Sequence, residues 1–495
     1  MDKVVVAPQS SGHWLRAESE HVIVYSDETA EVLRGVVADL EVLDHALRTI
    51  YGQLDAPAPR KYPIYLIRPA YPGATENETF RRFNPQAPVT LISMDIAEVE
   101  DVFSVVVRDD FKFGGVRDKT AGDDGVLGAY AYHFFSENFP FRQPRWLTKG
   151  AAIYYSSIDI RADRLVIGGM PALFDDAKAA RDLRKITDLI AETGDDWDYP
   201  DRQRYDAQSA LLVRYLWADP DRKARLATYL ERIERGDRDV KATWAEVFGE
   251  PVEKLPARLA SYAEQADVVT TLPRASAPAP TVRIRRMPAG ADDLILELQQ
   301  LKTVSVASPP ALLRRIRRAA ARRPDERYSR QALARAEITV GDRDKGERLL
   351  EQLLAEDGGN LEALRLLGSS QLYRAAAADR EHKSPFLASA RSYLQRADAA
   401  EPNDYQTLFL LAQTMVDSEV PSPERLALLR RAVSLAPEVA KIRIVAAVAF
   451  LKADDAQTAF ALLKPISADP NGGAATVQAK KILDLMARVL EPETP

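Results

Sequence analysis

The C-terminal part of this 495-residue chain is punctuated at a near-constant interval, and that interval restricts the fold more than any other feature. Helix-compatible stretches end near Pro324, Gly358, Pro402, Pro437 and Pro470, at spacings of 34, 44, 35 and 33 residues. Proline stops a helix because it lacks the amide hydrogen and its ring clashes with the preceding turn. Each interval holds two ordinary helices and two short connections. A unit of that size cannot bury its apolar faces alone, so the units must stack on one another.

Small residues recur where two helices of a unit would cross. In 361–402 these are Leu367-Gly368, then Ala390, Leu394, Ala397 and the closing Pro402. The next unit carries Leu411-Ala412, Ala432 and Pro437; the one after it carries Ala446-Ala447, Ala459 and Pro470. A weaker unit at 327–358 has Leu333-Ala334 and Gly346 but no terminal proline, and about ten inserted residues around Ala376–Ser384 account for the long interval. The set resembles tetratricopeptide repeats, which implies an all-α superhelix over 291–495 with residues 474–490 as its cap helix. Such arrays present an extended concave surface, so the resemblance implies a protein or peptide partner held in the repeat groove.

The first part reads differently. His21–Ser26, Tyr62–Ile67, Val89–Ser93 and Val102–Val107 are rich in β-branched and aromatic residues and predict strands. Between the first two, Val32, Val36, Val37, Leu40, Leu43, Leu47 and Ile50 recur at helical spacing and predict a helix over about 28–52. This order suits an α/β unit over 1–120, a small sheet packed on a helix. Helices are expected near 123–138, 145–158, 203–218, 220–235 and 253–266, giving a helical unit over 121–269. The proline- and alanine-rich stretch within 270–290 reads as a semi-extended linker.

Composition removes several function classes. The net charge of −6 offers no basic footprint for nucleic acid. The absence of cysteine excludes disulfides, thiol nucleophiles and thiolate metal sites. No stretch approaches the ~20 apolar residues of a membrane-crossing helix. Met1–Val6 is too short for a signal-peptide apolar region, which leaves two expectations open: a cytoplasmic protein, or a mature periplasmic or secreted form.

One pair of segments bears on chemistry. Residues 128–133 read Gly-Ala-Tyr-Ala-Tyr-His, and 146–152 read Trp-Leu-Thr-Lys-Gly-Ala-Ala. Phe139-Pro140 and Pro144-Arg145 lie between them, and Tyr205–Ala210 and Trp244–Gly249 follow. Together they resemble the active-site frame of MA-like, gluzincin-type zinc metallopeptidases, in particular a bacterial domain of unknown function that accompanies tetratricopeptide repeats. The resemblance covers roughly 1–268 and implies an α+β metallopeptidase-like domain. In that frame a helix bears His-Glu-x-x-His and the next opens Trp-x-x-Glu-Gly-x-Ala. Gly128 and Tyr132 then fall on the two histidine positions, Ala129 on the general-base glutamate and Lys149 on the ligand glutamate.

The five histidines, His13, His21, His45, His133 and His382, include no two that are four apart, so the zinc motif is absent. The expectation is therefore a non-catalytic relative with no metal and no cofactor, binding a protein or peptide in the repeat groove or the former cleft. A hydrolase with unusual ligands and a scaffold acting through the repeats alone are the alternatives. Tyr132, His133, Lys149 and Tyr205 are the candidate cleft contacts. Each also has a plainer reading: core aromatics for Tyr132 and Tyr205, a solvated residue at a helix start for Lys149. His133 and Glu137, four apart, would form a helix-face ion pair or a satisfied core histidine, two ligands with no third in view.

Overall fold

A computed structural model describes residues 13–67, 93–107, 124–141, 143–169, 186–191, 199–235, 237, 239–265, 268–274, 280–303, 309–379, 381–415, 420–469 and 473–490. The predicted strand at 89–93 falls outside these residues except for Ser93. The described residues open with β1 (Leu15–Glu18) and β2 (Val22–Ser26), the long helix α1 (Ala30–Ile50), β3 (Tyr62–Ile67), β4 (Ser93–Ala97) and β5 (Val102–Val107). With β9 (Arg283–Arg286) these strands form one sheet in the order β4-β5-β3-β2-β1-β9. Pairing is parallel for β2–β3 and β3–β5 and antiparallel elsewhere.

Strand β5 shows why the sheet needs cover on both faces. Every one of its residues is buried. Side chains alternate across a strand, and here Val102 and Val106 enter one core while Phe103, Val105 and Val107 enter another. The first core is closed by α1 and by α2 (Asp124–Asn138). The second is closed by Trp14 and by Ala291 and Ile295 of α9 (Ala291–Gln300).

Helix α3 (Arg145–Ser156) packs on α2 and on α5 (Tyr199–Trp217). A Cβ at Gly150 would lie 2.6 Å from Val213 Cγ2 and 2.7 Å from the Ser209 carbonyl carbon, so α3 and α5 cross at a distance only glycine permits. Strands β6 (Asp159–Ile160) and β7 (Arg164–Ile167), helices α4 (Ile186–Ala191), α6 (Pro220–Arg235), α7 (Val240–Phe248) and α8 (Leu255–Ala263), and β8 (Thr270–Pro273) complete this unit.

The expected linker is a correction. Within 270–290, β8 pairs with β7, and β9 pairs with β1 in the register Leu15↔Arg286 to Glu18↔Arg283. Residues 275–279, which hold much of the stretch's proline and alanine, lie outside the described residues. Three of the four β9 residues are arginines, a charged edge of the kind that discourages pairing with another sheet.

From α9 onward the described chain is helical. Helix α10 (Pro309–Ala320) precedes four successive pairs: α11 (Arg327–Val340) with α12 (Arg343–Glu356), α13 (Leu361–Ala377) with α14 (Lys383–Ala400), α15 (Tyr405–Gln413) with α16 (Pro423–Leu435), and α17 (Ala440–Lys452) with α18 (Ala456–Ser467). Helix α19 (Ala474–Leu490) closes the array against α18. The small residues sit where the sequence places them: a Cβ on Gly368 would meet Leu394 Cγ at 2.5 Å, and one on Gly346 would meet Ile338 at 2.8 Å. Asp342, Asn360, Asp404, Ser422 and Asp455 each accept a bond from the amide three residues on, satisfying an amide that helix geometry leaves without a partner.

The array is seated on the first domain. The β4–β5 turn, Glu98–Asp101, takes a hydrogen bond from the Tyr405 hydroxyl to Glu98 O (3.2 Å) and another from the Gln406 amide to Glu100 O. Arg335 pairs with Glu100 at 3.3 Å and Lys302 with Asp101 at 2.7 Å. Arg335, Tyr405 and Gln406 lie on the first helices of their pairs. The β4–β5 turn is thus held by side chains of α11 and α15. Among the described residues no helix is long and apolar enough to cross a membrane.

Candidate functional site

Helix α2 carries the segment that the sequence singles out, and its side chains divide between two environments. Gly128 faces α3: a Cβ there would touch Ser156 Cβ at 3.4 Å and Ala152 O at 3.9 Å. Ala129 is fully buried in the core. Tyr132 and Lys149 come together, the ammonium lying 5.4 Å from the ring centroid in cation–π range. Lys149 is half-buried, which corrects its reading as a solvated residue at a helix start. Burial pulls its pKa down, but the carboxylates of Asp206 and Asp95 outweigh this and hold it above the ordinary lysine value. Burial raises the Asp95 pKa, opposed by Lys149 and by a hydrogen bond from the Ser104 hydroxyl.

Ser104 sits on the face of β5 that meets α2 and is fully buried, so its hydroxyl needs partners. It has two, Asp95 and the Tyr62 hydroxyl at 2.5 Å. The Tyr62 ring in turn stacks on His133, with centroids 3.6 Å apart. A line of buried polar contacts thus runs from His133 through Tyr62 and Ser104 to Asp95, whose charge acts on Lys149. Tyr205 is buried on α5, next to Asp206.

His133 lies away from the Lys149 side and faces carboxylates. Its Nε2 is 3.7 Å from Glu137 Oε1, one helical turn on. Glu438, in the connection between α16 and α17, completes a group whose candidate ligand atoms all lie within 4.8 Å of one another. The three residues are 5, 8 and 7% exposed. Burial, with Arg60 and Arg48 nearby, drives the His133 pKa well below the usual imidazole value, so the ring is neutral. Burial raises Glu137 to about 7, Arg60 opposing this and Glu438 reinforcing it. Arg60 donates to Leu435 O at 2.7 Å and pairs with Glu438 Oε1.

A second histidine cluster behaves in the opposite way. His21 Nδ1 lies 2.7 Å from Glu41 and 3.4 Å from Asp44. Asp44 also accepts from Arg48 at 2.8 Å and from the Tyr130 hydroxyl at 2.6 Å. Burial lowers the His21 pKa, but the Glu41 hydrogen bond and the charges of Asp44 and Glu41 carry it above its ordinary value.

Arg60, Asp95, Asp206 and Glu438 are missing from the sequence-based site. Arg60 precedes a strand and Glu438 follows a proline in a turn, places where charged residues are normally solvated. Asp95 alternates with its neighbours on β4 and could have been assigned to the α2 face once the register with β5 was known.

No protein-family model and no curated protein matches the chain. Solved structures that it resembles include a thermophilic tetratricopeptide-repeat protein from Thermus thermophilus, at 22% identity and a TM-score of 0.32, covering 40% of this chain and 96% of that one. MamA from Desulfovibrio magneticus RS-1 aligns at 18% identity and a TM-score of 0.27, covering 42% and 99%. Scores this low establish no relationship by themselves; the repeat architecture rests on the helix pairing described above.

Proposed function

We propose that the chain is a non-catalytic scaffold that binds a protein partner through its repeats, with the α+β domain as the body on which the array is mounted. The observation that carries this is the distribution of exposed apolar side chains. Val448, Phe460, Val477 and Leu485 are 36, 49, 52 and 60% exposed, all on the mutually packed helices α17, α18 and α19. Single exposed apolar residues are ordinary, but several on adjoining helices favour a covered surface. The β4–β5 turn already covers part of α11 and α15, whereas these apolar side chains lie at the other end of the array.

Lys149 beside Tyr132, flanked by Asp95 and Asp206, supports the reading without hydrolysis. By the resemblance read from the sequence, its cation falls at the position of a ligand carboxylate, and a cation repels a metal at such a spot. In-cell crosslinking in the native cells, comparing wild type with a Phe460→Ser/Leu485→Ser variant shown to be folded by circular dichroism, tests the scaffold. A partner captured by the wild type and lost from the variant is expected. Equal capture removes this surface from the function. Cleavage of a peptide mixture by the wild type, abolished in Lys149→Met, would replace the scaffold with a hydrolase.

A further inference from the structure

We infer that His133 Nε2, Glu137 Oε1 and Glu438 Oε2 form a binding site for one divalent transition-metal ion of the zinc class, which fastens the repeat array to helix α2. The inference goes beyond the scaffold reading and does not depend on it.

The first ground is the state of the carboxylates. Glu137 Oε1 and Glu438 Oε2 are both buried and neither has a hydrogen-bond partner. Leaving a buried charged oxygen unsatisfied carries the full desolvation penalty of that group. Two such oxygens beside the same imidazole define a point where one cation would satisfy all three groups. Arg60 holds only Glu438 Oε1, and Arg48 is taken up by Asp44.

The second ground is geometry. Zinc bonds nitrogen and carboxylate oxygen at about 2.0–2.2 Å, which in a tetrahedral site places ligand atoms about 3.3–3.5 Å apart. His133 Nε2 and Glu137 Oε1 are at 3.7 Å, and one ligand atom from each of the three residues lies within 4.8 Å of the others, so small side-chain rotations bring the group to bonding distance. A neutral imidazole with two carboxylates suits zinc and its first-row neighbours more than magnesium or calcium, which prefer all-oxygen sites.

The third ground is the surrounding shell. Metal-bound carboxylates are usually held by an outer donor, and ligand orientation is fixed from behind. Arg60 fills the first role for Glu438, and the stacked Tyr62 ring fixes the plane of His133. The burial of all three ligands excludes a substrate, so the ion is structural, its fourth position taken by water or a second carboxylate oxygen.

The His21 cluster lacks these properties. Glu41 and Asp44 already accept several hydrogen bonds, and neither leaves a buried oxygen unsatisfied.

Isothermal titration of the full chain with zinc, after dialysis against chelator, tests the site. The expected result is saturable one-to-one binding, absent in His133→Gln and Glu438→Gln, retained in His21→Gln, and weakened about 10–100-fold in Arg60→Met. Cobalt added to the wild type should give the visible absorption of a nitrogen–oxygen site, a readout that needs no variant. Absence of stoichiometric binding by folded wild type overturns the site, as does binding unchanged in both His133→Gln and Glu438→Gln. Partner capture in the crosslinking experiment is scored separately, so either conclusion can fail alone.

Discussion

Tyr62 and His133 lie face to face, with ring centroids 3.6 Å apart and planes within 3° of parallel. The stack ties β3 to α2, and the Tyr62 hydroxyl extends it to Ser104 on β5. Two variants separate the ring from the hydroxyl. Tyr62→Phe keeps the stack and leaves Ser104 bonded to Asp95, so a loss of about 0.5–1.5 kcal/mol is expected. Tyr62→Ala empties a fully buried site and should cost about 3–5 kcal/mol. Denaturant midpoints measure both; equal losses would mean that the ring contributes nothing.

Gly150 and Gly128 make a matched pair on α3 and α2. Gly150→Ala forces a methyl group into Val213 and the backbone of Ser209, so α3 and α5 must separate. Overpacking of this kind costs about 1–3 kcal/mol or more. Gly128→Ala meets its nearest atom at ordinary contact distance and gains helix propensity, so it should be neutral or stabilising by up to about 1 kcal/mol. Thermal unfolding of the two variants should shift in different directions.

Lys149 offsets two carboxylates. Lys149→Met leaves Asp95 and Asp206 without that cation and should cost about 1–3 kcal/mol, below the penalty for a fully buried pair because Lys149 is half-buried. Lys149→Glu adds a third carboxylate and should be the less stable of the two. A Lys149→Glu protein as stable as wild type would remove the electrostatic role given to Lys149.

Glu337 makes the array sensitive to acid. Its fully buried side chain accepts from Arg317 at 2.7 Å, Lys345 at 2.8 Å and the Asp342 amide at 3.0 Å. Burial alone would raise its pKa, but the hydrogen bonds from Arg317, Lys345 and the Asp342 amide carry it down to about 2. The folded value lies below the unfolded one, so this stabilisation is complete above about pH 4.5 and is lost as the pH falls toward 2. Glu337→Gln should lower stability at neutral pH by about 1–3 kcal/mol and flatten the loss between pH 4.5 and 2. Denaturation series at several pH values would show an unchanged acid slope if Glu337 is not involved.

The repeats were legible because their determinants are local. Gly368 and Leu394 touch across one helix pair, and the proline spacing is visible without knowing the fold. Strands β2, β3 and β5 were legible from their β-branched runs. The sheet edge was not: β9 reads Arg-Ile-Arg-Arg, and nothing in it signals a strand until β1 is beside it. The surroundings of Lys149 and His133 were hidden for the same reason. Asp95, Asp206, Arg60 and Glu438 come from other parts of the chain, and sequence spacing along α2 records only that His133 and Glu137 share a face.

The pairing of Leu15 with Arg286 also imposes an order of events on synthesis. A ribosome delivers β1 first and β9 only after the whole helical unit has emerged, so for most of translation β1 is an outer strand with its hydrogen-bonding groups open. The second face of the sheet waits still longer, because Trp14 and Phe103 are covered only when α9 arrives. A nascent chain released before that point carries a sheet with one bare face and one bare edge, the species most in need of a chaperone. Cutting the chain between β9 and α9 would keep that edge paired and leave the second face bare permanently.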